Sequence, residues 1–301
     1  VLPDPQCAMR WNWSSVYPAP AKLNLFLHET GRRPDGYHTL QTLFRFVGLH
    51  DDLRFVPRSD GQIVLANPIP GVPPATDLTV RAAEALRRAA GVRDGVTIHL
   101  EKRLPMGGGL GGGSSDAATV LLALNSLWRL GGSHAELLAL ALPLGADVPV
   151  FVFGQSAFAE GVGEALSPAA LPPAWYLIIH PGVSVPTADI FSSPDLSRDT
   201  PPIAPAAWPN ALTQGVGAND LEPVAVARHP EVGVALAWLQ QQAEAAGRVR
   251  MTGSGACVFA VFDDEASAQA VSDRLPRERF GWRAWVCPGL DRHPLSELIP
   301  A

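Results

Sequence analysis

The chain has 301 residues, of which 47% are hydrophobic and 17% charged, a composition typical of a soluble globular protein of about two domains. Its 23 Lys and Arg against 29 Asp and Glu give a net charge of −6, so the protein as a whole does not attract phosphate backbones or anionic lipid. We therefore expect no nucleic-acid and no membrane partner, and an anionic ligand needs a local site.

The cysteines and the first residues also restrict the class of protein. Cys7, Cys257 and Cys287 are too few and too scattered for a disulfide framework or a zinc site. No apolar run reaches the roughly 18 residues that span a bilayer, and residues 1–18 lack the apolar segment of a secretory signal. We expect a cytoplasmic protein without a structural metal, and we leave residues 1–16 out of the fold predictions.

In the first half of the chain, leucines at alternate positions predict a strand, and later apolar runs predict strands that pair with it in antiparallel fashion. Apolar residues at helical spacing, followed by Gly91 at the expected C-cap, predict a helix. The predicted elements are strands at 21–28, 40–49 and 53–56, a helix at 77–90, a strand at 96–100, helices at 117–130 and 134–142, and a strand at 150–153.

Residues 161–173 are rich in Gly, Pro and Ala, and we predict a boundary there between domains at 17–160 and 161–290. A Pro-rich segment at 194–209 is typical of a long surface loop. The other predicted elements are a strand at 175–180, helices at 221–226 and 232–246, a strand at 258–262, a helix at 265–275 and a strand at 284–286. Together the elements predict an α+β fold.

The most informative segment is a glycine loop at residues 107–113, in which six of the seven residues are glycine. A flexible linker is the simple alternative, but a linker would not separate an apolar strand from a strongly helical segment. We expect Ser114, Ser115 and Asp116 to cap the helix, and the loop N–H groups to hold a phosphate at its positive end. The spacing fits neither a Walker A motif nor a Rossmann fingerprint.

Several segments of the sequence, including the glycine loop, resemble segments of a known protein family. The sequence PMGGGLGGGSS at 105–115 is similar to the phosphate loop of the GHMP kinases, as are PAKLNL at 20–25 and MTGSGAC at 251–257. Three further segments resemble the members of that family that act on 4-diphosphocytidyl-2-C-methyl-D-erythritol, namely DGYHTLQT at 35–42, LGADVPVF at 144–151 and NDLEPV at 219–224. The resemblance extends from about residue 18 to residue 286.

The resemblance implies the two-domain GHMP kinase fold. Its N-terminal domain, similar to domain 2 of ribosomal protein S5, would bind ATP, and its ferredoxin-like C-terminal domain would bind the second substrate. The implied reaction moves the γ-phosphoryl group of ATP to the 2-hydroxyl of the cytidine compound, directly and in line. It yields the 2-phosphate and ADP in the non-mevalonate pathway of isoprenoid synthesis. Mg²⁺ is expected to accompany ATP.

Asp147 and Lys22 are the implied catalytic residues. An alcohol must lose its proton as it attacks the γ-phosphorus, and a carboxylate within hydrogen-bond reach can accept that proton. The Lys22 ammonium would keep Asp147 ionised and offset charge on the transferred group. The alternatives are an Asp147 that caps a turn and a Lys22 that is solvated on an edge strand.

The resemblance also implies the binding residues. Those for ATP are Lys102, Pro105, Met106, Gly107, Gly108, Gly109, Leu110, Gly111, Gly112, Gly113, Ser114 and Ser115. Those for the second substrate are Asn24, Tyr37, His38, Thr187, Phe191, Gly253 and Gly255. Aromatic rings would sandwich the pyrimidine, while His38 would bond its polar edge. Asp77 stands where members of the family commonly have Asn near the adenine.

Two alternative functions are open at this point. Another GHMP kinase for a small alcohol would share the glycine loops without needing Tyr37, His38 and Phe191. An S5-like RNA-binding module is disfavoured by the net charge of −6 and by the lack of a basic stripe. We expect small-molecule substrates and no obligate protein partner.

Overall fold

Two long antiparallel strands form the frame of the fold, β1 (Tyr17–Arg32) and β2 (His38–Arg58). The computed structural model describes residues 11–33, 38–204, 217–245 and 248–300. The predicted strands at 40–49 and 53–56 are one continuous strand. Asp51, which lies between them, is buried and its carboxylate is hydrogen-bonded. Its carboxylate accepts the N–H groups of Arg103 and Leu104, so the polar pair at 51–52 does not end the strand.

The other strands extend this frame in both directions. They are β3 (Ile63–Leu65), β4 (Gly95–Glu101), β5 (Ala157–Glu160), β6 (Ala165–Pro168), β7 (Trp175–His180), β8 (Val249–Met251), β9 (Val258–Phe262) and β10 (Arg283–Leu290). The sheet order is β3-β4-β2-β10-β7-β9-β8, while β1 and β5 also pair with β2, and β6 pairs with β5. All pairs are antiparallel except the parallel pair β3–β4. The predicted α+β class is confirmed.

The helices of the described residues cover the sheet. They are α1 (Leu78–Ala90), α2 (Gly112–Leu127), α3 (His134–Ala141), α4 (Val148–Phe153), α5 (Thr187–Phe191), α6 (Glu222–Arg228), α7 (Pro230–Gln240), α8 (Glu265–Asp273) and α9 (Arg277–Phe280). The prediction for α1 is confirmed at both ends. Asp77 caps it by accepting the N–H of Thr79, and Gly91 ends it at a φ of +66°.

The prediction of a strand at 150–153 is wrong, because these residues belong to the helix α4. The run from Val148 to Val152 is buried on every side, and a short, fully apolar run has no period that separates a strand from a buried helix. Two backbone signals favour the helix: Pro149 stands in its first turn, and Gly154 ends it at a φ of +77°.

Two more helix boundaries differ from the predictions. Helix α2 begins at Gly112 rather than at 117, with Gly111 at the cap and no side-chain capping bond, so Ser114, Ser115 and Asp116 lie inside the first turns instead of capping them. Helix α7 ends at Gln240 rather than at 246.

The core lies between α2 and the sheet in the first half and between α7, α8 and the sheet in the second. Between these two clusters, a third one brings together Leu23, Val47, Ile178 and Phe259. Strand β10 pairs with both β2 and β7, so the end of the chain returns to join the two halves. The boundary between 160 and 161 remains a prediction.

The chain segments outside the regular elements also have defined places. Trp11 and Trp13, in the segment left out of the predictions, pack on the first core cluster. Of the predicted loop at 194–209, residues 194–204 form no helix or strand, and residues 205–209 lie outside the described residues. None of the described helices is both long and apolar enough to cross a bilayer.

The packing of α3 gives a test of the first core cluster. Leu137 is 0% exposed, whereas Leu142, directly after the helix, is 45% exposed. Leu137→Ala should lower the free energy of unfolding by about 2–5 kcal/mol, because it removes buried methyl groups and leaves a cavity. Leu142→Ala, as the matched control, should cost less than about 1 kcal/mol. Urea unfolding followed by circular dichroism measures both, and equal losses would contradict this description of the core.

Candidate active site

A cavity of about 490 Å³ opens between the glycine loop, the facing residues of β1 and β2, and the chain around Gly253. Most of the residues predicted for the site line it: Lys22, Asn24, Lys102, all ten residues of 105–114, Asp147, Thr187, Phe191 and Gly253. Residues distant in sequence, from both predicted domains, therefore meet at one cavity.

Tyr37 lies outside the described residues, and three other predicted residues are not among those that line the cavity. Ser115 is fully buried in α2, so its hydroxyl does not reach the cavity. Gly255 donates its N–H to a carbonyl of its own loop. His38 stands beside the cavity-lining Phe191, with 5.1 Å between the ring centroids.

Lys22 is buried on β1, and its ammonium group has three partners. Its Nζ lies 3.2 Å from Asp147 Oδ2, and it donates to Asn24 Oδ1 at 2.6 Å and to the Gly109 carbonyl at 3.1 Å. An ammonium group has three donors, so these partners satisfy it. The ring of Phe44 lies 5.5 Å from Nζ. Because Lys22 is only 2% exposed, the alternative of a solvated edge-strand lysine is wrong.

Asp147 stands at the cap position of α4, but its carboxylate makes no capping hydrogen bond. The alternative of a turn-capping aspartate is therefore wrong. The side chain is 35% exposed and lines the cavity, while Lys22 holds one of its oxygens. A carboxylate that is oriented on one side and open on the other can accept a proton from a bound ligand.

The glycine loop turns its carbonyl oxygens toward the protein. Those of Gly107, Gly108 and Leu110 accept main-chain N–H groups from Ala256, Cys257 and Lys22 respectively. By contrast, the N–H groups of residues 109–114 donate no hydrogen bond to any described residue. These unused donors line the cavity at the start of α2, where the helix dipole is positive, and such a site suits an anion. The arrangement contradicts the alternative of a flexible linker.

Close packing explains why the loop consists of glycine. Gly107 and Gly109 have φ values of +64° and +72°, which disfavour other residues. A Cβ on Gly109 would stand 2.1 Å from the Thr252 carbonyl oxygen, and a Cβ on Gly107 would stand 2.0 Å from Ser184 Oγ. The glycine loop therefore docks against residues 252–257 at a distance that no larger residue permits.

Two residues without a predicted role hold residues 252–257 against β1. Asn219 donates its side-chain amide to two carbonyls of this segment and its preceding strand, at 2.9 and 2.7 Å. Thr252 Oγ1 accepts the N–H of Asn24 at 3.0 Å and donates to the Gly109 carbonyl at 3.2 Å. Both residues belong to segments quoted in the sequence analysis. Nothing in the sequence around Thr252, however, indicates that it bonds to Asn24, which lies 228 positions away on β1.

Lys102 lines the cavity beneath the start of α2, where two carboxylates hold it. Its Nζ donates to Asp51 Oδ2 and Asp116 Oδ2, both at 2.6 Å. Burial lowers the pKa of Lys102, but the two carboxylates together raise it by more than burial lowers it, so the pKa of Lys102 is raised overall. Burial raises the pKa of Asp116, against the opposing effect of Lys102. Lys102 therefore anchors the first turns of α2 to β2, and its contact with a nucleotide remains a prediction.

At the other end of the cavity, α5 presents Thr187 and Phe191. The Thr187 hydroxyl lies 2.9 Å from Ser254 Oγ, which joins α5 to the segment that docks on the glycine loop. His38 Nδ1 lies 2.9 Å from Oε2 of Glu29, a fully buried residue of β1. Sequence reasoning missed Glu29, because a glutamate on a strand is usually solvated.

The cavity therefore combines an anion cradle, a buried ammonium and an open carboxylate within one space, with an aromatic ring at its far end. The cradle can hold a polyphosphate, and the positive charge of the nearby ammonium can offset the charge that develops on a transferred phosphoryl group. The carboxylate can take the proton of an attacking hydroxyl. This set of groups is what phosphoryl transfer to an alcohol requires.

Comparisons with known proteins agree with this geometry. The family profile "GHMP kinases N terminal domain" matches residues 77–155, and "GHMP kinases C terminal" matches residues 208–281. A curated relative from Bordetella parapertussis, a 4-diphosphocytidyl-2-C-methyl-D-erythritol kinase, is 61% identical over 94% of this chain and 97% of its own. A relative of the same name from Dechloromonas aromatica is 58% identical over 94% of this chain and 100% of its own.

Solved structures give the same result. A crystal structure of 4-(cytidine 5'-diphospho)-2C-methyl-D-erythritol kinase has a TM-score of 0.77 and 39% identity, over 91% of this chain and 99% of its own. The mevalonate kinase of Methanococcus jannaschii has a TM-score of 0.65 over 92% of this chain, at 12% identity. The latter likeness concerns the fold alone.

The docking of the glycine loop against residues 252–257 can be tested with a substitution that adds a single methyl group. Gly109→Ala should weaken binding of a nonhydrolysable ATP analogue at least about tenfold, because the new Cβ meets the Thr252 carbonyl and displaces the loop. Gly131 is the matched control, with a φ of +66° and nothing within 4 Å of its would-be Cβ. Gly131→Ala should change the Kd less than about twofold while costing about 1 kcal/mol in stability. Isothermal titration calorimetry measures both Kd values, and equal Kd values would contradict the docked arrangement.

Proposed function

The chain belongs to the GHMP kinase family, and we propose that it transfers the γ-phosphoryl group of ATP to the 2-hydroxyl of 4-diphosphocytidyl-2-C-methyl-D-erythritol. The products are the 2-phosphate and ADP, in the non-mevalonate pathway of isoprenoid synthesis. The identities of 61% and 58% to relatives that are named 4-diphosphocytidyl-2-C-methyl-D-erythritol kinase support this choice of substrate. The observation that carries the chemistry is the Lys22–Asp147 pair, 3.2 Å apart, beside glycine-loop N–H groups that have no acceptor in the described part of the chain.

The glycine loop binds the triphosphate of ATP. The N–H groups of residues 109–114, unused within the described chain, donate to the phosphate oxygens, and the positive end of α2 attracts the same charge. Since the loop carbonyls are already bonded to the protein, the loop does not need to rearrange in order to receive the anion. This preorganisation is what makes such donors effective during the reaction.

Asp147 accepts the proton of the attacking 2-hydroxyl. Its carboxylate is free of capping bonds, and Lys22 fixes its orientation. A proton acceptor that is held within hydrogen-bond reach raises the rate by about 10²–10⁴. Lys22 Nζ also bonds the Gly109 carbonyl, so the same ammonium group links the base to the phosphate cradle and offsets negative charge between them.

Mg²⁺ would accompany ATP at the mouth of the glycine loop. Mg²⁺ prefers oxygen ligands, usually one or two carboxylates together with substrate phosphates. Ser114 lines the cavity at the start of α2, beside the loop, and its hydroxyl would be the protein oxygen for such an ion, with phosphate oxygens and water as the other ligands. When bound, Mg²⁺ neutralises charge on the β- and γ-phosphate oxygens.

The cytidine end of the second substrate lies toward α5. Phe191 lines the cavity, and its ring can stack on the pyrimidine, together with Tyr37, which lies outside the described residues. His38 bonds the polar edge of the base. Asn24 and Gly253, on the side nearer the glycine loop, contact the remainder of the substrate.

We assign residues 17–160 to the ATP domain and residues 161–290 to the substrate domain, with the reaction in the cavity between them. Strand β10, paired with both β2 and β7, couples the two. We also place the reaction in the cytoplasm, where ATP is available. That Cys257 and Cys287 are free thiols supports a reducing compartment.

A substrate panel tests the function. We expect ADP release with 4-diphosphocytidyl-2-C-methyl-D-erythritol at a kcat/KM at least about a hundredfold above that with homoserine or mevalonate, because only the first offers a base for the aromatic end of the cavity. A coupled ADP assay at fixed ATP measures all three. A preference for homoserine or mevalonate would show that the chain phosphorylates the substrate of a different GHMP kinase.

The base is tested by Asp147→Asn, which keeps the shape of the side chain and removes its negative charge. We expect kcat to fall by about 10²–10⁴, while the Kd of a nonhydrolysable ATP analogue stays within about twofold. Asp263→Asn is the matched control, because Asp263 is 84% exposed and paired only at the surface. If Asp147→Asn retained the activity of the control, Asp147 would have no part in proton transfer.

A further inference from the structure

A buried carboxylate stands behind the histidine at the pyrimidine end of the cavity. Successive side chains of a strand alternate between its faces, so His38, Leu40 and Thr42 share one face of β2. Leu40 and Thr42 line the cavity, which places His38 at the outer end of the same row. The ring of His38 also contacts Phe191, at 5.1 Å between centroids, and Phe191 lines the same cavity.

The two nitrogens of His38 have different surroundings. Nδ1 lies 2.9 Å from Oε2 of Glu29. Nε2 has no hydrogen-bond partner among the described residues, and the side chain keeps 15% of its surface exposed. The nitrogen that is left for a ligand is therefore Nε2, and what it can bond depends on what happens at Nδ1.

Glu29 is 0% exposed, and four charged or titratable side chains lie around the Glu29–His38 pair. The carboxylate of Asp220 accepts the main-chain N–H of Glu29 at 2.7 Å, and His28, the preceding residue on β1, interacts with Asp220. Arg198 acts electrostatically on both Glu29 and His38, and Arg32 acts on His38.

Arg198 donates its own N–H groups to main-chain carbonyls, Phe191 among them, rather than to the Glu29 carboxylate. Burial, with a smaller contribution from Asp220, raises the pKa of Glu29 to about 8, against the opposing effect of Arg198. Burial and then Arg198 and Arg32 lower the pKa of His38. The surroundings therefore favour one shared proton between Oε2 and Nδ1 at neutral pH.

That shared proton fixes the state of Nε2. When the Glu29–His38 pair holds the extra proton, a hydrogen occupies the short contact between Oε2 and Nδ1, and Nε2 carries the second hydrogen as a donor. This holds whichever of the two atoms the shared proton is bonded to. When the pair loses the extra proton, Nδ1–H donates to an ionised Glu29, and Nε2 keeps only a lone pair as an acceptor.

We propose that Glu29 is a positioning residue that holds His38 with Nε2–H directed as a donor to an acceptor atom of the pyrimidine, its O2 or N3. The inference rests on the proposed function, because it concerns how that same site binds the cytidine substrate. It assigns a role to a residue that does not touch the substrate, and it predicts that recognition of the base depends on pH in a range where ATP binding does not.

The sign of the pH effect follows from the raised pKa of Glu29. The proton is held below about pH 8 and lost above it, so the donor at Nε2 is present at pH 7 and absent at pH 9. If binding requires the donor, the protonated fraction changes by about a factor of ten between these pH values. The KM for the cytidine substrate should therefore rise about tenfold from pH 7 to pH 9, while the KM for ATP stays within about twofold.

Glu29→Gln is the decisive variant. Glutamine keeps the size of the side chain and a polar contact to Nδ1 but cannot ionise, so the KM for the cytidine substrate should stay within about twofold from pH 7 to pH 9. Glu84→Gln is the matched control on the outer face of α1, where Glu84 pairs with Arg87, and it should retain the tenfold rise. A flat profile in the wild-type chain, or the same rise in Glu29→Gln, would overturn the inference.

A second measurement does not depend on folding of the variant. In the full wild-type chain labelled with ¹⁵N, imidazole correlation spectra should show the hydrogen of His38 on Nε2 at pH 7 and its loss above about pH 8. A bare Nε2 at pH 7 would also overturn the inference. The proposed function fails separately, if the wild-type chain releases no ADP with the cytidine substrate at any pH.

Discussion

The site depends on one buried ammonium group. Lys22 brings together β1 through Asn24, the glycine loop through the Gly109 carbonyl, and α4 through Asp147. A buried charge is costly unless every donor is satisfied, so these three partners must take their places together. The position of the Asp147 carboxylate, which is the proposed base, and that of the glycine loop, which is the proposed phosphate site, are therefore set by the same contact. Because Lys22 is held on a strand rather than on a loop, the contact has a rigid support.

The glycine loop is a second constraint that acts in concert with the first. Its carbonyls are bonded to residues 252–257 and to β1, which leaves the N–H groups of 109–114 as donors without a partner in the described chain. This division requires the backbone of the loop to lie against residues 252–257 with no side chain between them. At Gly109 an added Cβ would stand only 2.1 Å from the Thr252 carbonyl oxygen. Asn219 secures the other side of that segment, so the cradle depends on residues from both halves of the chain.

Buried charges recur around the cavity, each with a different function. Lys102 lies between Asp51 and Asp116 and fixes the start of α2. Glu29 lies behind His38 at the opposite end. Groups of this kind stabilise a fold little, since removal from water offsets much of their attraction, but they define hydrogen-bond directions sharply. Their concentration at one cavity is consistent with a protein that must distinguish two substrates and orient one atom of each.

The sequence alone was enough to predict the α+β class, a helix at 77–90 with Gly91 at its C-cap, a glycine loop between a strand and a helix, and, through the family resemblance, the pairing of Lys22 with Asp147. These features rest on local propensity, on the chemistry of glycine, or on motifs with a known family likeness. Tertiary structure alone decided that residues 148–153 form a helix, because a fully apolar run carries no period. It also decided that Ser115 is buried, that Thr252 and Asn219 hold residues 252–257 in place, and that Glu29 lies against His38. Their partners are distant along the chain or have no sequence signal of their own, so only packing brings them into contact.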